Sequence, residues 1–178
     1  AYTDKMLRFI KEEKGSNVRV WGSLSNKNGS TPVYSDGVEM NIWNSGWANA
    51  QAMYDQGYDL INTEDSYLYL VPGANFYYNY LNHSWLYNNW EVNTFSNGVT
   101  IPEGSPQMNG GMFALWNDMI DNKANGIVEY DIFDRILPGM QVLSEKMWGE
   151  ADDKTYNEFV EVADEVGVAP NTLSLIHI

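Results

Sequence analysis

Val38-Glu39-Met40-Asn41-Ile42-Trp43, then Asn44-Ser45-Gly46, then Trp47 to Gln56 closed by Gly57, then Tyr58 to Asn62: the fold is decided in this stretch. An apolar run of strand length, a break containing Gly, a helix-length segment with Gly at its C′ position and a second apolar run describe strand, helix, strand. Upstream, Asn17 to Leu24 (Asn-Val-Arg-Val-Trp-Gly-Ser-Leu) reads as another short strand, running into a loop from Ser25 to Ser35 dense in Asn, Gly, Ser and Pro. Ahead of it Met6, Leu7 and Ile10 fall on one face of a helical pattern.

Downstream, Pro72-Gly73 leads into an aromatic segment from Ala74 to Trp90, expected to be partly helical because Phe76, Tyr80, Leu81 and Trp85 recur at helical spacing. Gly98 to Gly111 reads as a turn-rich loop and Met112 to Trp116 as a fourth strand. Tyr130 to Trp148 reads as a helix with Ile132, Ile136, Met140, Leu143 and Met147 on one side, and Asp153 to Val166 as a further amphipathic helix cut by Gly167 and Pro170. Repeated strand and helix with short apolar strands signals βα units around a parallel sheet, an α/β fold. A closed (β/α)8 barrel needs eight units and about 250 residues, so about four units fit half a TIM barrel, an incomplete fragment. A complete doubly wound domain also fits this pattern.

Composition narrows the function classes. With 24 acidic and 10 basic residues the formal net charge is -14, which repels phosphate backbones and argues against a nucleic-acid partner. Mean hydropathy is -0.40 and no apolar run approaches the roughly 18 residues of a membrane span. Cys is absent and there are 2 His, one of them His177, which argues against a disulfide framework, a thiol nucleophile, a Ser-His-Asp triad or a multi-His metal site. No cofactor is expected. The informative number is the aromatic content, 14% with 7 Trp and 12 Tyr: indole and phenol faces stack on the C–H faces of sugars while Asn, Asp and Tyr take the hydroxyls. Aromatic residues that merely fill a core are the alternative for each of them.

Trp21, Trp43 and Trp116 each stand near the C-terminal end of an expected strand. In a barrel those ends open at one face, where catalytic sites lie. Three Trp that simply cap the core would read the same way.

Gly110-Gly111-Met112-Phe113-Ala114-Leu115-Trp116-Asn117-Asp118 resembles the last barrel strand of the β-N-acetylhexosaminidases, glycoside hydrolase family 20, whose Trp is followed two residues later by an acidic residue. Phe133-Asp134-Arg135-Ile136-Leu137-Pro138 and Leu143-Ser144-Glu145-Lys146-Met147-Trp148 are similar to that family's closing helix, Tyr67-Leu68-Tyr69 to its Tyr-Leu-Asp, and Trp43-Asn44 to the end of its sixth strand. The resemblance runs from about Val18 to Trp148 and implies the C-terminal part of a catalytic barrel over residues 1–150, with a helical segment over 151–172. Residues 173–178, Leu-Ser-Leu-Ile-His-Ile, are read as a translated sequencing adapter.

The resemblance also implies roles. Trp43 and Trp116 would wall the pocket for a 2-acetamido sugar, with Trp21 a third wall. Tyr67 would be the catalytic hydroxyl, donating to the acetamido oxygen, and Asp118 would accept from the sugar's 4- and 6-hydroxyls. Tyr69 would also border the substrate, in a position where the family usually has Asp. The reaction implied is substrate-assisted hydrolysis of terminal β-linked N-acetylhexosamine, driven by an Asp-Glu pair expected upstream of Ala1, on an N-terminal half-barrel that would be this chain's partner along with the glycan substrate. The piece alone is expected to be inactive. A lacto-N-biosidase, a noncatalytic carbohydrate-binding protein and an unrelated α/β protein with an aromatic core stay open. An extracellular or envelope location follows from the family alone. Glu64-Asp65 and Asp152-Asp153 read as solvated charges, Asp152 or Asp153 as a helix N-cap, and Asp121 to Gly126 as a turn rather than a calcium loop.

Overall fold

In a computed structural model of the chain, residues 2–22, 33–119, 126–149 and 154–168 are described. Val18–Trp21 (β1), Val38–Ile42 (β2) and Asp59–Asn62 (β3) are neighbouring parallel strands, with Val18 beside Val38 and Glu39 beside Asp59. Val38, Met40, Asn41 and Ile42 are all buried, so β2 is covered on both faces, as a central strand of a parallel sheet must be. The one outward charge, Glu39, is satisfied across strands: Arg19 Nε donates to it at 2.7 Å from the adjacent register position.

Asn49 caps the helix Ala50–Asp55 (α2), its side chain accepting from the Ala52 amide at 2.9 Å. The helix therefore starts later than Trp47. Gly57, at φ 85°, turns the chain back into β3, the C′ role that its place in the sequence suggests. Ala50 and Met53 of α2 pack with Val38, Met40, Ile42 and Leu60 in one buried cluster. Ahead of β1, the helix Tyr2–Arg8 (α1) runs into a π-helical turn, Phe9–Glu13. That turn breaks the 3.6-residue period: Leu7 and Ile10 meet the core while Met6 is exposed.

Of the expected fourth strand, Met112 to Trp116, only Ala114–Leu115 is strand, and the expected loop Gly98 to Gly111 ends in a separate strand with a different partner. Leu70 pairs with Leu115 as Tyr69–Leu70 (β4) runs parallel to Ala114–Leu115, whereas Met108–Gly111 (β5) pairs with β3. The second member of the short pair is β6. Asn109-Gly110-Gly111 has turn composition, yet pairing with Leu60 to Asn62 makes it extended, and the register shifts by a bulge where Gly110 adopts φ 138°. The main sheet thus has the order β1-β2-β3-β5, all parallel. It is an α/β arrangement consistent with part of a barrel.

The chain forms two compact units, residues 1–68 with 91–113, and residues 69–90 with 114–178. The first holds the four-stranded sheet, α1, α2 and the short helix Asp65–Leu68 (α3). The second holds β4, β6 and three helices: His83–Asn89 (α4), Glu129–Trp148 (α5) and Tyr156–Val166 (α6). Only the last part of the aromatic segment is helical, because Asn82 caps α4 by accepting from Trp85 N at 3.1 Å, and Phe76 lies outside the helix and exposed. In α5 the buried residues are Arg135, Gly139, Val142 and Leu143, while Met140 is exposed, so the buried stripe is rotated from the one that apolarity alone suggests. Arg135 explains part of the rotation: its guanidinium lies 4.6 Å from the Tyr80 ring centroid, and its stem is buried below it. Thr155, rather than Asp152 or Asp153, caps α6, in a reciprocal capping box with Glu158. Asp152 and Asp153, most of the loop from Ser25 to Ser35, Asp121 to Asn125, and the tail over 173–178 lie outside the described residues.

Candidate functional site

Parallel pairing puts the C-terminal ends of β1, β2 and β3 at one end of the first unit's sheet. Trp21 ends β1 and is exposed, Trp43 follows β2 and is half-buried, and Tyr67 lies in α3, directly after β3. Gly22 makes room for the Trp43 indole. A Cβ at Gly22 would stand 3.2 Å from Trp43 Nε1, and its φ of +79° is one that L residues rarely adopt.

Below these rings lies a block of buried polar side chains. Asn41, Asn62, Thr63 and Glu64 have no solvent exposure and Asp65 is nearly buried. Asn62 donates to the Val92 and Thr94 carbonyls at 3.1 and 2.9 Å, and its own oxygen accepts from the Glu64 amide at 3.3 Å. Thr63 accepts from Asn41 at 2.9 Å. Glu64 accepts from the hydroxyls of Ser45 and Ser96, the latter at 2.7 Å. Asp65 accepts from Asn44 Nδ2 at 3.1 and 3.3 Å, and its amide donates to the Trp43 carbonyl at 2.7 Å. Glu64 and Asp65 are therefore not solvated charges; they are structural acceptors inside the first unit.

The reading from sequence missed this block, although a signal was present. Four consecutive polar residues, Asn62 to Asp65, follow an apolar strand at its C-terminal end, where α/β proteins place their sites, and Asn41 interrupts a strand covered on both faces. Tyr67 is affected by its surroundings. Burial pushes its hydroxyl well above the ordinary phenol range, the Glu64 carboxylate adds to the rise and Asn62 opposes it. The hydroxyl thus keeps its proton and is able to donate; in the chain it donates weakly to the Thr94 carbonyl at 3.4 Å.

In the second unit Tyr69, Trp116 and Asp118 come together around a cavity of about 280 Å³ that Val71, Phe76 and Tyr77 complete. Tyr69 is buried and its ring lies 5.8 Å from that of Trp116 and 5.6 Å from that of Tyr77, both tilted. A backbone bond from Trp116 N to the Leu70 carbonyl, 2.8 Å, fixes where Trp116 leaves β6. Trp116 is 39% exposed and Asp118 is exposed beside it. Val71, Phe76 and Tyr77 were not picked out from the sequence as lining residues; the run of aromatics after Pro72-Gly73 is the trace they leave there.

Among the described residues no group of three or more His, Asp or Glu is gathered to hold a metal ion, and no helix is long and apolar enough to cross a membrane. The first unit offers indole faces and a half-buried phenol, and the second an aromatic wall with an exposed carboxylate. No curated protein matches the chain. The family model described as glycosyl hydrolase family 20, catalytic domain, matches residues 1–151, most of the chain. A parallel α/β sheet with indoles and a phenol at the C-terminal ends of its strands agrees with that match, and the chain belongs to glycosyl hydrolase family 20 through its catalytic domain.

Proposed function

We propose that this chain is the C-terminal half of a barrel that hydrolyses terminal β-linked N-acetylhexosamine with retention, and that it contributes the sugar-binding walls. The observation that carries the reading is the placing of Trp21, Trp43 and Tyr67 after three neighbouring parallel strands of a family 20 domain. Trp43 and Trp21 supply aromatic faces for the 2-acetamido sugar from the first unit, and Trp116 supplies one from the second. Its acetamido carbonyl attacks the anomeric carbon as the glycosidic bond breaks, and Tyr67, held protonated, turns from Thr94 to donate to the acetamido oxygen. Asp118 accepts from the sugar's 4- and 6-hydroxyls.

Protonating the leaving oxygen needs a carboxylic acid that reaches the substrate. Glu64 does not qualify, because it is fully buried with both oxygens taken by serines, and Asp65 is engaged with Asn44. In this reading the Asp-Glu pair of the reaction comes from outside these residues, as the resemblance to family 20 implies. A disaccharide-releasing enzyme of the same chemistry is the second reading, favoured by the aromatic wall of Phe76 and Tyr77 beside Trp116.

The test compares the 178-residue chain with the same chain extended upstream. The extended protein should release nitrophenol from nitrophenyl β-N-acetylglucosaminide and the chain alone should not. Hydrolysis by the chain alone would move the acid into these residues, and an inert extended protein that still binds N-acetylglucosamine would make this a binding protein. Release from the lacto-N-bioside but not the monosaccharide substrate would select the second reading.

A further inference from the structure

Glu64 is an unusual residue to bury. Its exposure is zero, and among the described residues no ion pair involves it. An unpaired carboxyl inside a protein is costly unless hydrogen bonds replace its hydration, and an apolar side chain of similar size would fill the space more cheaply. Its two oxygens reach in different directions along the sequence. One accepts from Ser45, two residues beyond Trp43, and the other from Ser96 at 2.7 Å, two residues beyond the Thr94 carbonyl that holds the Tyr67 hydroxyl. The next residue repeats the tie, since the Asp65 amide donates to the Trp43 carbonyl at 2.7 Å and its carboxylate accepts from Asn44. Tyr67 itself begins two residues later, in α3.

We infer that Glu64 is a positioning residue: it clamps the loop that carries Trp43 to the segment 94–96 that holds Tyr67, and so sets where the indole and the phenol stand relative to each other. The inference rests on the sugar-site reading above. Neither ring is on a long rigid element at this point; each sits just past a strand end, where a free loop would let it drift. Substrate-assisted attack needs the acetamido group in one conformation, and a drift of about 1 Å in a positioning group can cost on the order of a hundredfold in rate.

The experiment uses the intact enzyme with its upstream strands, in Glu64→Ala, Glu64→Gln, Ser45→Ala and Ser96→Ala. Hydrogen exchange of segments 43–46 and 94–96 reads the clamp whatever the substrate is. Glu64→Ala should raise exchange in both segments, and each serine variant mainly in its own. Turnover per folded molecule of nitrophenyl β-N-acetylglucosaminide reads the effect on the reaction. Glu64→Ala should lower kcat roughly tenfold to a hundredfold with a smaller change in KM, and Glu64→Gln should recover most of it, because serine hydroxyls can turn to accept from an amide. In a Tyr67→Phe background the Glu64→Ala loss should shrink, the mark of one residue acting through the other.

Unchanged exchange in both segments on Glu64→Ala overturns the clamp. Glu64→Gln falling as far as Glu64→Ala overturns positioning, because the charge itself would then act, and so does a kinetic loss that is identical with and without the Tyr67 hydroxyl. If Glu64→Ala fails to fold, Ser45→Ala and Ser96→Ala carry the same comparisons. Wild-type enzyme that ignores 2-acetamido glycosides, with exchange still released by Glu64→Ala, would sink the sugar-site reading and leave the clamp standing.

Discussion

The two units meet the same demand, holding aromatic rings still at the ends of strands, by opposite means. The first unit seats Trp43 and Tyr67 over buried polar residues that bond in several directions, Asn62 alone serving two carbonyls and one amide. The second seats Trp116 with its ring 5.8 Å from that of Tyr69, which in turn packs on Tyr77, so that ring faces carry much of the contact. A hydrogen-bonded block fixes geometry sharply and fails abruptly, since each buried group that loses its partner bears the whole loss of its hydration. A packed aromatic wall tolerates change better, and its exposed side, where Asp118 and Phe76 lie, is free to meet a ligand.

The largest expected effect falls on the second unit's exposed carboxylate. If Asp118 accepts from two sugar hydroxyls, each charge-assisted bond contributes roughly 1.5 to 3 kcal/mol, and Asp118→Ala in the intact enzyme should lower kcat/KM by about a hundredfold or more. Its exposure means that the thermal midpoint should hardly move. Asp118→Asn keeps the shape and one acceptor and should fall between. Activity per folded molecule that survives both substitutions removes Asp118 from the site.

Stability should respond in the reverse order. Asn62→Ala strips two buried carbonyls and an amide of their partner and should cost about 2 to 4 kcal/mol, read as a fall in the denaturant midpoint. Phe76→Ala in the pocket wall, where the ring is 74% exposed, should change stability by no more than about 0.5 kcal/mol while weakening sugar binding. Equal losses from the two would erase the distinction between the units.

Gly22→Ala tests how closely the first unit's rings are held. The backbone at φ +79° adds roughly 1 to 2 kcal/mol of strain for any L residue, and the new methyl would meet Trp43 Nε1 at 3.2 Å. A stability loss of that size with a shifted Trp emission is expected. A loss without any spectral change would mean that the indole does not depend on Gly22.

The difference between the units also explains what the sequence made legible. Alternation of β2, α2 and β3 was readable because apolar runs and a Gly C′ signal are local, and the family resemblance over Gly110 to Asp118 anticipated the family that matches residues 1–151. Strand β5 was not readable, since Asn109-Gly110-Gly111 is extended only through pairing with a strand some fifty positions earlier in the chain. Glu64 and Asp65 were misread for the related reason that burial of a charge depends on donors brought from elsewhere, here Ser45, Ser96 and Asn44. The α5 stripe was misplaced because periodicity counts apolar residues, and Arg135 is buried whole with its guanidinium over the Tyr80 ring.

The smallest expected effect concerns pH and belongs to the second unit. His83, at the start of α4, is partly buried, and burial holds its pKa below the ordinary histidine value. Unfolding restores the ordinary value, near 6.5, so as pH falls below that point the unfolded chain takes up a proton before the folded chain does. Stability from this group is therefore complete above about pH 6.5 and declines as pH drops through 6.5 toward the lower folded value, below which both states are charged and no further loss accrues. Carboxylates ordinarily titrate lower, and the second histidine, His177, is common to wild type and His83→Gln. His83→Gln should flatten the slope of the denaturant midpoint between about pH 6.5 and 5.5 while leaving the value at pH 8 close to wild type, and the imidazole resonance of His83 followed by NMR should titrate below that of a free histidine. A wild-type slope retained in His83→Gln would assign the acid sensitivity elsewhere; an imidazole titrating at or above the free value would mean that the packing around α4 does not exclude water from it.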